Sequence, residues 1–441
     1  MIRFSHILAL GALFVVGASP CGLRAEKVAA PPTALQDYVA QADESFAWKL
    51  EKTTDLPLNM GRLHEVELTS QTWQGITWTH RLAIFEPQEN KHPEHSLLFI
   101  TGGKTGGKLR TGDMIAGARM ANAGGVCVGY LLQVPNQPLL GDRTEDDLIT
   151  ETFLRYLDSR DATWPLLFPM VKSAVRAMDV IQLVAQQQWD ADVDKFVVAG
   201  ASKRGWTTWL TAVADERVAG IAPIVIDTLN FQAQMKHQIA TWGKFSEQIK
   251  DYTSKGLVRV MQEEPDVPLW RWVDPYTYRA QLSLPKLIIN GTNDPYWVVD
   301  ALNIYWDDLP GQKHLLYIPN GGHGLEGGLE TALTTLVAFV KHVAADKPLP
   351  NLQWQYAQAE EKITLTVRSD VAPKEVRLWS ATSGSGDFRP AKWTSTPIVA
   401  ADGAYVATVD APQEGFVAMY AEARYQMQGH VYSLTTQIRR Q

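Results

Sequence analysis

The sequence predicts an α/β protein: a doubly wound, mostly parallel sheet with a helical cap insertion, followed by a C-terminal β-sandwich. Three observations carry this. Short runs that are apolar throughout, such as Leu97–Ile100, Phe196–Ala199 and Leu315–Ile318, recur between helical stretches. Strands buried on both faces belong to a parallel sheet covered by helices. Between Asn230 and Leu284 that rhythm breaks into helical, aromatic and charged sequence containing Trp242, Trp270 and Trp272, and a connection of this length inside a compact sheet is a lid or cap. After Pro348-Leu349-Pro350 the apolar residues alternate at period two, as in Ile363-Leu365-Val367 and Tyr405-Ala407-Val409, the mark of half-buried antiparallel strands.

The elements follow in order. Residues 1–25 read as a signal peptide: Arg3, an apolar run from Ile7 to Gly17 too short to settle across a bilayer, and a cut after Ala25. Pro20 before Cys21 argues against lipidation at that cysteine. Export to the periplasm or the medium is therefore expected. Cleavage removes two arginines and no acid, taking the net charge from −7 to −9, and leaves Cys127 as the sole cysteine. With no basic patch, nucleic acid and anionic membrane surfaces are excluded as partners. A lone cysteine makes no disulfide, so stability must come from core area; 45% apolar and 20% charged residues over 441 positions allow a sizeable core.

The domain from 26 to 347 opens on a short helix near Leu35–Ala40. Strands over Glu65–Pro87 turn at Gly75. Strands Leu97–Ile100 and Val126–Val134 follow, and then a long helix from Pro165 that lines Val171, Ala174, Val175, Met178 and Ile181 along one face. Strands Phe196–Ala199, Ile221–Ile226, Leu287–Ile289 and Leu315–Ile318 complete the sheet, with the cap over 230–284. Residues 348–441 form the sandwich, with hairpin signals at Asp402-Gly403 and Gly384–Gly386.

Chemistry gathers at strand ends. Ser202 lies in Gly200-Ala201-Ser202-Lys203-Arg204-Gly205, between an apolar strand and a helix beginning near Trp206. This is the setting of a nucleophile elbow, in which the turn projects Oγ and the first helical N–H groups point at the same place. The usual elbow has glycine two residues after the serine; here Arg204 stands there and Gly205 comes one later. Asp294 follows the strand Leu287–Ile289 in a Gly/Asn/Pro turn. His323, flanked by Gly322 and Gly324 that let its backbone bend, follows Leu315–Ile318. The order Ser202, Asp294, His323 is that of an α/β-hydrolase triad of nucleophile, orienting acid and base. Asp227, at the end of Ile221–Ile226, is the alternative acid. The N–H of Lys203 supplies one oxyanion donor, and Gly103 or Lys104, in the loop after Leu97–Ile100, the second. Lys203 and Arg204 put positive charge at the elbow, either to hold a substrate carboxylate or to pair with acids at a helix start.

Two other motifs are set aside. Gly102 through Lys108 has phosphate-loop spacing, but Leu109 stands where a Ser or Thr must meet magnesium. The acidic stretch Asp142–Asp147 fits no calcium loop, and Thr144 with Asp147 reads as a helix N-cap pair. No cofactor and no metal are expected. The substrate class is a small ester or peptide.

At Gly-Ala-Ser-Lys-Arg-Gly-Trp-Thr (200–207) the chain resembles the PhoPQ-activated pathogenicity-related proteins. The likeness runs through Asp142–Asp179, Asn290–Trp297 and Gly321–Gly324, over most of residues 35–345. It implies the α/β-hydrolase fold with Ser202 as nucleophile and Asp294 and His323 as its partners, and names no bond to be cleaved. That family includes secreted eukaryotic relatives described as proliferation repressors, which are similar to dipeptidyl peptidases. The displaced glycine is also similar to the Gly-x-Ser-Arg-x-Gly elbow of glucuronoyl esterases, with Lys203 in the arginine's place. An exported serine hydrolase follows as the expectation. A secreted binding or signalling protein on the same fold is the alternative.

Overall fold

The computed structural model describes residues 30–427 and 430–441; the signal peptide and Cys21 lie outside them. A short helix, α1 (Ala34–Ala40), is followed by β1 (Ala47–Asp55), β2 (Arg62–Trp73) and β3 (Ile76–Glu86). These three strands are antiparallel, and β2 turns into β3 through Gln74 and Gly75, both at positive φ. The chain continues through β4 (His95–Ile100), α2 (Thr111–Gly124), β5 (Cys127–Leu131), α3 (Glu145–Ser159), α4 (Leu167–Trp189), β6 (Lys195–Ala201), α5 (Lys203–Ala214) and β7 (Val218–Ile224). Helices α6 (Phe231–Trp242), α7 (Lys250–Ser254), α8 (Leu257–Glu263) and α9 (Pro268–Val273) intervene before β8 (Lys286–Gly291), β9 (Lys313–Ile318) and α10 (Leu329–Ala344).

The nine strands form one sheet in the order β1-β2-β3-β5-β4-β6-β7-β8-β9. Every pairing from β5 to β9 along that order is parallel. Connections between parallel neighbours must cross over a face of the sheet, which brings helices to both sides. The stripe expected on α4 is there, with Val171, Ala174, Met178 and Ile181 fully buried. The carboxyl ends of β6, β8 and β9 lie on one edge, so the loops that follow them converge.

Two local readings differ from expectation. β1 has no apolar run to announce it; its burial alternates between exposed and half-buried because it forms the sheet's edge. The strand expected through Val134 ends at Leu131. Beyond it the chain is bound to the loop after β4, with Gln133 N donating to Gly102 O and Val134 N to Thr101 O. Pro135 and Pro138 have no N–H with which to extend a ladder. Cys127 is a buried free thiol whose pKa burial pushes up to about 12, as suits an inert core residue.

Past α10 the chain forms two antiparallel sheets. One orders β10 (Leu352–Ala359), β11 (Lys362–Ser369), β15 (Ala404–Asp410) and β14 (Ala400–Ala401). The other orders β13 (Thr394–Pro397), β12 (Glu375–Ser383), β16 (Phe416–Met427) and β17 (His430–Thr435), with β18 (Arg439–Arg440) against β16. Asp402 and Gly403 both take positive φ between β14 and β15, the backbone of a two-residue type I′ hairpin. The second sheet is seated on the α/β body. Tyr317 N at the end of β9 donates to Thr435 Oγ1 on β17, and the Thr335 hydroxyl of α10 hydrogen-bonds Ser433.

Candidate active site

The turn from β6 to α5 bends at Ser202, whose φ of 59° and ψ of −125° lie in a region costly for any side-chain-bearing residue. The bend is held on both sides: Ser202 N donates to Ile224 O of β7 at 2.8 Å, and Trp206 N donates back to Ser202 O at 3.0 Å. The displaced glycine has a physical reason here. A Cβ at Gly205 would meet Ile226 Cγ2 at 2.6 Å, Gly200 O at 2.9 Å and Ile224 O at 3.1 Å. One at Gly200 would meet the Arg204 carbonyl oxygen at 2.7 Å. Helix α5 therefore approaches the sheet at Gly205, and position 204 is left free to carry a long side chain away from it.

The Arg204 guanidinium is buried against the loop after β4 and the start of α3. Its Nη1 and Nη2 donate to Glu145 Oε2 and Oε1, each at 2.7 Å, and its Nε donates to Val134 O at 2.5 Å. A Cβ at Gly102 would stand 2.4 Å from Nη2, so the loop is glycine where the guanidinium passes. Burial works against the Glu145 carboxylate, but Arg204 prevails and holds its pKa below the ordinary value. Of the two alternatives for Arg204 the structure takes pairing with helix-start acids. All three of its nitrogens are engaged within the protein.

Lys203 is paired as well. Its Nζ lies 2.7 Å from Asp146 Oδ2 and 4.0 Å from Glu145 Oε2, above the ring of Tyr296. Burial opposes the ammonium, and the Asp146 charge outweighs it, leaving the pKa above its ordinary value. The expected Thr144–Asp147 cap does not form. Thr144 makes no side-chain cap bond, the chain turns instead at Glu145 with φ 52°, and Asp147 pairs with Lys255. Glu145 N donates to Gln137 Oε1, which serves the first turn in place of a threonine hydroxyl.

The loops after β8 and β9 bring Asp294 and His323 to the elbow. His323 Nδ1 lies 2.8 Å from Asp294 Oδ2, and Nε2 lies 2.9 Å from Ser202 Oγ. Since a carboxylate only accepts, Nδ1 carries the proton toward Asp294 and Nε2 accepts from the serine hydroxyl. Asp294 is buried, and its Oδ1 accepts from Tyr296 N at 2.9 Å. The Tyr296 ring lies on the imidazole with centroids 4.3 Å apart. The bend that presents His323 falls elsewhere than expected: the positive-φ residues are Asn320 and Leu325, not the flanking glycines. Those glycines make room for Glu326, whose Oε1 would lie 2.5 Å from a Cβ at Gly324.

The strand expected through Ile226 ends at Ile224, and Asp227 is buried in the segment beyond it, where its carboxylate accepts the Tyr305 hydroxyl. Burial pushes its pKa up to about 7, the Tyr305 bond works against that, and the Asp294 charge adds to it. The imidazole bond goes to Asp294.

A cavity of about 100 Å³ lies over Ser202 and His323, roofed by residues of α6 to α9. Gly103 and Lys104 are exposed in the loop above Arg204 and do not line it. Two features had no isolated signal in the sequence. Tyr252 and Tyr296 reach Asp146 through their hydroxyls at 2.6 and 3.3 Å. Asn293 and Asn320, each just ahead of a site loop, are clipped by the segment 388–393: Asn293 Nδ2 donates to Ala391 O at 2.7 Å and Arg389 O at 3.0 Å, while Asn320 bonds the Trp393 backbone in both directions.

The sequence profile of the PhoPQ-activated pathogenicity-related proteins matches residues 35–389, most of the chain. The chain belongs to the PhoPQ-activated pathogenicity-related family. The match runs past residue 345 and ends within the segment that clips Asn293 and Asn320. A family relative, autocrine proliferation repressor protein A of Dictyostelium discoideum, is 31% identical over 429 residues, covering 89% of this chain and 86% of its own. Acetyl xylan esterase 1 from Thermoanaerobacterium sp. JW/SL YS485 superposes with a TM-score of 0.50 at 15% identity, over 70% of this chain and 94% of that one. That likeness is one of fold, and the fold is that of the α/β-hydrolases.

Removing the Arg204 guanidinium takes the bidentate partner from Glu145, which keeps Gln137 Nε2 at 2.7 Å and Lys203 Nζ at 4.0 Å, and takes the Nε–H donor from Val134 O. Because Glu145 keeps some solvent contact, Arg204→Ala is expected to lower stability by about 3 kcal/mol, the low end for a broken buried pair. Arg204→Lys should recover only part of this, since an ammonium cannot span both carboxylate oxygens and the carbonyl. Denaturant unfolding of Arg204→Ala, Glu145→Gln and the double variant should show coupling; an additive cycle would refute the pair's importance.

Asp227 gives a prediction of opposite character. Its folded pKa stands above its unfolded one, so across about pH 4 to 7 the native state holds a proton the unfolded chain has released, and stability falls as pH rises. Asp227→Asn keeps an acceptor for Tyr305 and removes that loss. Its melting temperature should gain on the wild type between about pH 4.5 and about pH 8. Parallel curves would show that Asp227 does not titrate in this range.

Proposed function

We propose that this chain is an exported serine hydrolase that works through an acyl-enzyme on an ester or small peptide. The observation that carries the reading is the unbroken line from Ser202 Oγ through His323 to Asp294 at a strained elbow. A serine hydroxyl is a weak nucleophile at neutral pH, so the base must take its proton as the new bond forms. Ser202 Oγ attacks the substrate carbonyl carbon while His323 Nε2 receives the proton, and Asp294 stabilises the imidazolium. The carbonyl oxygen becomes an oxyanion, received by the N–H of Lys203 at the start of α5. As the tetrahedral adduct collapses, His323 returns the proton to the leaving oxygen or nitrogen. Water, deprotonated by the same imidazole, then releases the acid and restores Ser202.

In this reading residues 26–347 are the hydrolase domain, with the cap over about 230–284, and residues 348–441 are an accessory β-sandwich that steadies the loops of Asp294 and His323. Esterase chemistry is supported by the acetyl xylan esterase that shares the fold, and peptide cleavage keeps its place because the triad serves both. The name of the Dictyostelium relative favours a second reading, a secreted repressor that depends little on catalysis.

A fluorophosphonate probe should label the wild type and leave Ser202→Ala unlabelled. No labelling of folded wild type would remove the hydrolase reading. Labelling together with full biological effect from Ser202→Ala would favour the second. Export is checked separately: mature protein from outside the cytoplasm should begin at Glu26, and an intact Met1 terminus on such material would count against cleavage.

A further inference from the structure

We propose, resting on the hydrolase reading, that the cavity selects a neutral substrate bearing a large apolar group, aromatic or aliphatic, in preference to a short acyl group, a sugar or a charged peptide end. The walls are the first argument. Trp206, Phe231, Met235, Val258, Met261 and Trp270 face the space above Ser202. Of the three tryptophans lining the cavity, Trp206 and Trp270 have no polar atom to offer, because Trp206 Nε1 donates to Val273 O at 2.6 Å and Trp270 Nε1 to Glu264 O at 3.0 Å, and Trp297 Nε1 is a single donor without a partner. An acetyl group would leave these walls unfilled, and a hydroxyl-rich ring would find one indole N–H for its several hydroxyls and leave the rest without partners, which an apolar pocket strongly disfavours.

Charge balance is the second argument. The ionisable residues lining the cavity are Asp146, Lys203, Tyr252, Tyr296 and His323. Asp146 already receives Lys203 Nζ and two tyrosine hydroxyls, and Lys203 is compensated by Asp146. His323 is engaged between Asp294 and Ser202. Recognition of a substrate carboxylate or terminal ammonium needs an opposite charge without a partner, and the cavity presents none among these residues. The elbow cations, suggestive of an anionic substrate in the sequence, are one half of internal pairs.

The apolar group can enter on the acyl or the alcohol side, and two series tell them apart. One is p-nitrophenyl acetate, butyrate, hexanoate and octanoate; the other is ethyl, butyl, benzyl and 2-naphthylmethyl acetate, whose leaving alcohols are of similar acidity. Each methylene moved from water to an apolar wall raises kcat/KM by about fourfold. With allowance for incomplete burial, at least about tenfold is expected between the ends of one series. Met261→Phe should shorten the preferred chain and Met261→Ala lengthen it. A flat or falling kcat/KM in both series, with Ser202 still labelled by fluorophosphonate, overturns the proposal and leaves the hydrolase reading standing. So does a preference of tenfold or more for a succinate monoester or an aminoacyl ester over a neutral ester of equal size. Failure of labelling strikes the hydrolase reading itself.

Discussion

The bidentate pair of Arg204 with Glu145 is the constraint on which the rest of the site's construction depends. It joins three pieces of chain that approach the carboxyl edge of the sheet independently. Arg204 begins α5, Glu145 begins α3, and Val134, which takes the third hydrogen bond, belongs to the segment that pins the loop after β4. The same three pieces carry Ser202, Asp146 and the glycine-rich loop Gly102–Lys104. A guanidinium suits the task because its planar fork meets two carboxylate oxygens and still has Nε for a carbonyl. The geometry also explains the unusual elbow. With arginine two residues after the serine, the close approach of helix to sheet moves to Gly205, where a side chain would strike β7.

The loops of Asp294 and His323 are held from the other direction. Asn293 and Asn320 reach outward to the backbone of residues 388–393, and inward the two loops bind each other, with Asn293 N donating to Gly321 O and Asn320 N to Thr292 Oγ1. Gly291 makes that contact possible, since a Cβ there would lie 2.3 Å from Gly321 O. Loops at a sheet edge have few buried apolar contacts of their own and sit at the less stable end of a fold. Arg389 extends the same clip to the helices between β7 and β8 by pairing with Glu247 and lying over Trp242. The segment between β12 and β13 thus meets the loops of Asp294 and His323 and the end of α6 at once.

Much of this was legible in the sequence, for reasons that differ by element. Parallel strands buried on both faces have nowhere to hide a polar residue, so β4, β6, β8 and β9 stand out as apolar runs, and the loops after them follow. Edge strand β1 lacks such a run because one side of it meets solvent. The order of Ser202, Asp294 and His323 was readable because each follows a strand that was readable. The partners of Lys203 and Arg204 were not, since a charged side chain reaches across sequence distances that no local period records: Glu145 lies 59 residues from Arg204. The helices between β7 and β8 were recognisable as an interruption of the strand rhythm, but which faces of α6 and α8 look into the cavity depends on how short helices pack, and their few turns carry too little periodicity to tell.

Lys203 illustrates why the compensation matters to chemistry as well as to stability. In the mechanism proposed, positive charge develops on His323. A bare ammonium on the residue following the nucleophile would oppose it, and in a cavity with apolar walls that opposition is poorly screened. Asp146 converts the ammonium into one end of a short ion pair, whose field falls off faster than that of a single charge. The tyrosines complete the arrangement: Tyr252 and Tyr296 occupy the remaining acceptor positions of Asp146, and Tyr296 also covers the imidazole. Positive charge crowded at the elbow is therefore compatible with an imidazolium next to it because the acids of α3 arrive with it. The same compensation leaves the apolar walls, and not the cations, as the surface that meets the substrate.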